Sequence, residues 1–388
     1  MYPPPRSAID SSAYAKPRAP ARQRGFSLIE LLVGMLVSMI CMLAIMAAFA
    51  VYEGKKRTTT TGNDAQQNGS YALYTLERQL RTAGSGITQG NNWGLWGCPI
   101  TAYTDSTQVL PAASLPSPFT SSGWPLTTRL VPVLIAAGGG NVPDVIGIVA
   151  GNPAQQVFKV TVSSTPSAAS VVVGNSFGIL SGDYLAGTLS DSTCALAQIP
   201  TASPTAQVSG TTIALSTANS PTKGLQTATN LFDFGPAPTF TLFGIDTSTN
   251  SLVSYDLLQR KVNGNAATVT PIADGIVQIK ALYGIQTSGS NSLTWVQPTG
   301  NYSISTLTAS TSAANAAMTK IKAIRIAIVA QGRLAERSSD YSAASNKLVL
   351  FPDLDTTLQY TITTNTQYHY KVYDTTIPVR NALIATYY

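Results

Sequence analysis

The sequence predicts an α+β protein, in which one long N-terminal α-helix packs on a mainly antiparallel, β-rich head. Three observations carry that reading. Leu31 to Tyr52 is a run of 22 residues without a charge. A helical-period stretch follows it to about Ala83. From Ile87 onward, short apolar runs alternate with Ser, Thr, Gly, Pro and Asn breaks.

The apolar run comes first. At 1.5 Å per residue its 22 positions span about 33 Å as a helix, enough for a bilayer core. Met, Leu, Ile and Ala dominate it, and Gly34 is its one weak point before Gly54. Arg6, Lys16, Arg18, Arg22 and Arg24 precede it, and Lys55, Lys56 and Arg57 follow. These residues supply much of the net charge of +6 and the pI of 9.1. The basicity therefore flanks a membrane segment, and no nucleic-acid surface is expected. The five-to-three bias favours the leading side on the cytoplasmic face.

The run has three readings: a secretory signal cut after Ala48-Phe49-Ala50, a plain anchor, or a segment cut ahead of Phe26. Ser38-Met39-Ile40 is a poor lipoprotein lead-in to Cys41. Glu30 separates the three. A carboxylate near the start of a membrane helix is costly without a partner. A signal peptide or plain anchor has no use for it there.

Gly25-Phe26-Ser27-Leu28-Ile29-Glu30-Leu31-Leu32-Val33 closely resembles the class III signal of type IV prepilins. The resemblance implies a leader at 1–25, cleavage after Gly25 by a prepilin peptidase, and Phe26 as the N-methylated mature N-terminus. It also implies an assembly role for Glu30. The new Phe26 amine of one subunit would pair with Glu30 of a neighbour, since two charges buried together cost less than either alone. The first helical turn also favours a negative charge. The leader of 25 residues, which carries Pro3-Pro4-Pro5, Pro17 and Pro20, is longer than many in this family, so either translation starts downstream or the leader is long.

Beyond Gly54, Tyr71, Leu73, Tyr74, Leu76 and Leu80 recur at helical spacing, and the stripe reads as core. Gly84-Ser85-Gly86 ends the helix. The expected organisation is a helix over 26–83, with 26–52 transmembrane, and a head over 84–388. Strands are expected at Val145–Val149, Val157–Val162, Val171–Leu180, Tyr184–Leu189 and Thr212–Leu215. Others are expected at Ile276–Tyr283, Ile321–Ala330, Lys347–Phe351 and Tyr368–Tyr373. Thr239–Ile245 and Leu252–Leu257 read as a hairpin. Lys320, Lys322 and Arg325 suggest that Ile321–Ala330 has one wet face. Ala112–Ser122, Ser163–Ser170 and Thr201–Lys223 read as surface loops or insertions.

Only 11% of residues are charged while 44% are apolar, which suits a secreted or surface-exposed β-rich protein. Cys98 and Cys194 fall in the part expected outside the cytoplasm. They either join as a disulfide or stay as free thiols. The one histidine, His369, sits between Tyr368 and Tyr370 in an expected strand and reads as structural. Gly138-Gly139-Gly140 lacks the Lys-Ser/Thr of a phosphate loop. Asp353 and Asp355 are a weak cation pair. No catalytic constellation, cofactor or metal is expected.

Five further stretches are Asp144-Val145-Ile146-Gly147-Ile148, Gly182-Asp183-Tyr184-Leu185 with Cys194 after it, Val277 to Ile285, Ile324 to Val329, and Thr376-Ile377-Pro378-Val379-Arg380-Asn381. Their order, with the N-terminus, resembles the PilW-type minor pilins. That implies a low-abundance subunit that primes type IV pilus assembly, with the tip as one position open to it. Its partners would be other minor pilins, the major pilin, the prepilin peptidase and the inner membrane. The head would stand in the periplasm and later on the pilus. A J-type pseudopilin of type II secretion and a pilus-displayed adhesin are the alternatives.

Overall fold

The computed structural model describes residues 25–87, 94–104, 107–153, 159–165, 170–200, 208–214, 225, 227–258, 268–287, 292–336 and 342–384. The leader up to Arg24 and much of Thr201–Lys223 lie outside these residues. The chain forms two units, one ending at Arg57 and one starting at Thr58.

Helix α1 runs from Leu28 to Thr82 without a break, through Gly54 and Gly62. From Leu28 to Ala50 every side chain is exposed. From Thr58 onward the helix has a buried face made of Thr61, Ala65, Gly69, Ala72, Leu76 and Leu80. That spacing of three and four is the inner stripe of a surface helix. Tyr71 and Tyr74 lie outside it, 54% and 60% exposed. The expected Tyr/Leu core stripe is thus corrected: the leucines are core and the two tyrosines face out, because they stand at the other helical phase. Small residues in the stripe allow close packing. A Cβ on Gly69 would overlap the Tyr373 ring, whose hydroxyl donates to Gln66 O at 3.0 Å. Gly84, at φ +82°, turns the chain out of the helix and donates its N–H to Val149 O.

The second unit then lays down its strands: β1 (Ile100–Thr104), β2 (Thr107–Leu110), β3 (Val133–Ala136), β4 (Val145–Ala150), β5 (Val160–Thr161), β6 (Ser170–Val172), β7 (Tyr184–Leu189), β8 (Cys194–Gln198) and β9 (Thr212–Ala214). Next come β10 (Ala228–Gly235), β11 (Thr239–Asp246), β12 (Ser251–Asp256), β13 (Thr270–Asp274), β14 (Ile276–Ile285) and β15 (Thr294–Val296). Helices α2 (Ile304–Thr308) and α3 (Ser312–Lys320) lead into β16 (Ile321–Gln331). Strands β17 (Lys347–Leu350), β18 (Tyr360–Thr363) and β19 (Tyr370–Pro378) and helix α4 (Arg380–Ile384) finish the chain.

They form a six-stranded sheet β2-β1-β8-β7-β10-β5, a five-stranded sheet β13-β12-β11-β4-β3 and a four-stranded sheet β15-β14-β16-β19. The pairs β17-β18 and β6-β9 complete the head. Strands β1 and β8 run parallel, and the other pairings among the described strands are antiparallel.

Four expectations change. Strand β16 has no wet face, because its two sides feed two different clusters. Ile324, Ile326 and Ile328 join the main core with Leu76 and Leu80, while Ala327 and Val329 pack with Leu350, Phe351 and Ile362. Lys322 is buried and donates to Ala382 O, and Arg325 is taken up by Asp353 and Asp374. Val171–Leu180 is a short strand and a turn, since Asn175 Oδ1 accepts the Phe177 N–H and Gly178 sits at φ +86°. His369 precedes β19 because an Asx turn at Asn365, accepting from the Gln367 N–H, delays the strand to Tyr370. Ala112–Ser122 is no free loop: Phe119 is fully buried against Tyr255.

One polar contact joins two sheets through the core. Lys280 on β14 meets Asp144, just before β4, at 2.9 Å, and both side chains are fully buried. Lys280 Nζ also donates to Gly138 O and Val142 O. Asp144 accepts the N–H groups of Gly138 and Ala281. Burial pushes the Asp144 carboxyl up, and the adjacent ammonium opposes that push.

Two stability outcomes follow for the protein in detergent, read by chemical denaturation. Leu80→Ala costs roughly 2–5 kcal/mol, whereas Tyr74→Ala stays within about 0.5 kcal/mol. Asp144→Ala strands the Lys280 charge and costs about 3–5 kcal/mol, more than Asp144→Leu combined with Lys280→Met.

Candidate assembly site

The residues of interest at the N-terminal end are Gly25, Phe26, Ser27 and Glu30. Gly25 to Ser27 precede the helix, and Phe26 is 87% exposed. Ser27 is the residue before the first helical turn and Glu30 is the third residue within it. The Ser27 N–H donates to Glu30 Oε2 at 3.0 Å, and the Glu30 N–H donates to Ser27 Oγ at 3.2 Å. This reciprocal pair is a capping box. It closes two of the donors that a helix start leaves open and sets a carboxylate at the positive end of the dipole. The signal for it, Ser-x-x-Glu, was present in the sequence, yet Glu30 reads there as a charge partner and a dipole-favoured acid, without the reciprocal bond to Ser27.

The side chains from Leu28 to Tyr52 form an exposed apolar surface, and Glu30 is its one acid. The helix is long and apolar enough to cross a membrane.

In the head, Cys98 and Cys194 are bonded to each other, with Cα atoms 5.9 Å apart. Cys194 opens β8, and its N–H bonds Pro99 O beside β1. Cys41 is a free, exposed thiol within α1. The Asp353 and Asp355 pair does not stand as a cation site. Asp353 takes a two-pronged contact from Arg325, and Asp355 accepts from Thr357 N–H and Oγ1 within its turn. Those bonds hold both carboxyls below the usual range. His369 Nε2 lies 4.0 Å from Glu336 Oε1. Among the described residues, no group of three or more His, Cys, Asp or Glu is arranged to hold a metal.

Comparison with known proteins adds two matches. Residues 242–381 match the family described as Type IV Pilus-assembly protein W, and residues 20–46 match the Prokaryotic N-terminal methylation motif. The first segment runs from within β11 into α4 and so includes the four-stranded sheet. The second contains Gly25, Phe26 and Glu30. Among solved structures, a type IV-like pilin from Thermus thermophilus aligns at 12% identity with a TM-score of 0.21, covering 37% of this chain and 66% of that one. No curated protein matches the chain.

The capping box has its own expected outcome. Ser27→Ala weakens the helix start by about 0.5–2 kcal/mol. Hydrogen exchange in micelles should show faster exchange confined to the first turn of α1.

Proposed function

We propose that this chain, a type IV pilus minor pilin of the PilW type by its two matched segments, joins other minor pilins through its N-terminal helix and primes pilus assembly. The observation that carries the reading is an apolar helix surface with no buried side chain and a single carboxylate in its first turn. Such a surface needs lipid or other apolar helices around it.

In this reading the prepilin peptidase cuts after Gly25 and leaves a positive amine on Phe26. Glu30 of one subunit then pairs with the Phe26 amine of the next. The Ser27–Glu30 contact supports this, because it holds the carboxylate in the first turn while the chain is alone. The exchange is favourable because a charged donor makes a stronger hydrogen bond than a neutral N–H. The pairing rewards one axial offset between apolar helices, and so sets register. Before assembly the helix spans the inner membrane with the leader inside and the head in the periplasm; afterwards it lies in the pilus. The other pilins and the major pilin are the partners. The head serves as a structural body, and the family carries no catalytic expectation.

Mass spectrometry of the mature protein tests the processing, together with recovery of other pilins on its purification. The expected N-terminus is methylated Phe26. A start at Val51 would make the run a removed signal peptide. Glu30→Ala should still be cleaved but should lose co-purifying pilins, and wild-type recovery in that variant defeats the assembly role.

A further inference from the structure

Two acids at the six-stranded sheet lie outside the site described above. Asp183 stands just before β7, within the Gly182-Asp183-Tyr184-Leu185 stretch, and Asp233 lies on β10. The antiparallel register sets Asp233 opposite Leu185 and Gly235 opposite Tyr184. Strand alternation puts Asp183 on the face of Leu185 and Asp233 on the face of Leu231. Leu185 and Leu231 both enter the second hydrophobic cluster, so the two carboxyls lie at the end of one apolar face.

Both are buried, at 1% and 4% exposure. Each has one oxygen engaged by its own backbone: Asp183 Oδ2 accepts the Leu180 N–H at 2.7 Å, and Asp233 Oδ1 accepts the Gly235 N–H at 2.8 Å. The other oxygens, Asp183 Oδ1 and Asp233 Oδ2, are buried without a hydrogen-bond partner. The β7–β10 register puts Asp183 two residues from the cross-strand partner of Asp233, the diagonal placement on one face. Burial, with the Asp183 charge added to it, raises Asp233 to about 7. No hydrogen bond joins them, so a shared proton does not satisfy the two free oxygens. A buried acceptor left unpaired is costly, and two of like charge on one face are costlier still.

We propose that Asp183 Oδ1 and Asp233 Oδ2 bind one hard divalent cation of the calcium or magnesium class. The free donors are both carboxylate oxygens, which suits these ions and not the softer metals that prefer nitrogen or sulfur. One cation satisfies both orphaned oxygens and cancels both charges. Water and main-chain carbonyls complete the coordination that two carboxylates begin. The ion ties the turn before β7 to the end of β10 and braces the sheet that carries the disulfide.

The test uses the full-length protein in detergent, stripped with chelator and unfolded thermally with and without millimolar calcium or magnesium. Wild type should gain several degrees with one of the two ions. The isosteric Asp183→Asn/Asp233→Asn variant should lose that gain and, in chelator, unfold no lower than wild type, because its buried charges are gone. Terbium titration adds a second readout, with one calcium-displaceable ion in wild type and none in the variant. If the double variant does not fold, Asp183→Asn alone should likewise lose the shift and the terbium site. No shift in wild type with either ion overturns the proposal. So does a shift or a displaceable terbium that survives in the folded variant.

Discussion

The head depends on a charge that has been taken wholly out of water. Lys280 has no exposed surface, and an ammonium in that position is tolerable only with its donors filled. Asp144 and the carbonyls of Gly138 and Val142 fill them. Because Asp144 also accepts from Ala281 N–H, the pair binds the β3–β4 connection to the middle of β14 at several points. The Tyr360 ring lies 4.9 Å from the same ammonium, which adds the β17-β18 hairpin to the junction. At the same joint the fully buried Tyr283 hydroxyl oxygen accepts the Ile135 N–H at 2.6 Å. The two sheets can slide past each other only by breaking this whole set, so the contact sets their relative placement as well as contributing stability.

From Thr58 onward, α1 meets the head by shape. Its inner stripe is mostly small residues at one end and leucines at the other. Gly69 admits the Tyr373 ring, and Leu76 and Leu80 fill the core beside β16. Polar ties flank the apolar contact: Lys371 to Gln66, Tyr373 to the Gln66 carbonyl, and Asn381 to the Ala83 carbonyl. These come from β19 and the turn of α4, the last of the described elements. The ends of the second unit are therefore held together, and the strands between them close into one body.

Much of this was legible from local pattern. The apolar run, the helix stop at Gly84, the hairpin of β11 and β12 and the long strands β14 and β16 all announce themselves by period and composition. Glu30 stands out because a lone acid beside an apolar run is an expensive choice, and Gly25 and Phe26 stand out through the resemblance of Gly25 to Val33 to the prepilin signal. What escaped notice has several causes. The short strands β1, β3, β8 and β13 carry few residues for a period to emerge, and in the eight-residue β10 Asn230, Asp233 and Gly235 interrupt the apolar pattern. The buried Phe119 sits in a segment whose Ser and Pro content looks like surface. Glu30 was read for its charge and Ser27 only as part of the prepilin-like stretch, which concealed their reciprocal backbone bonds.

The sequence by itself determined the two-part plan, a membrane-length helix followed by a β-rich head, because hydropathy and periodicity act over neighbours in the chain. It also marked Glu30 as the one acid at the start of the apolar run, the residue on which the proposed assembly role rests. Only the tertiary structure decided which helical phase turns inward, that both faces of β16 are covered, that Cys98 meets Cys194, and that Asp144, Asp183 and Asp233 are buried. Each of those depends on contacts between segments far apart in sequence. The cost of a buried charge is set by the partners that folding brings to it, and local sequence does not contain them.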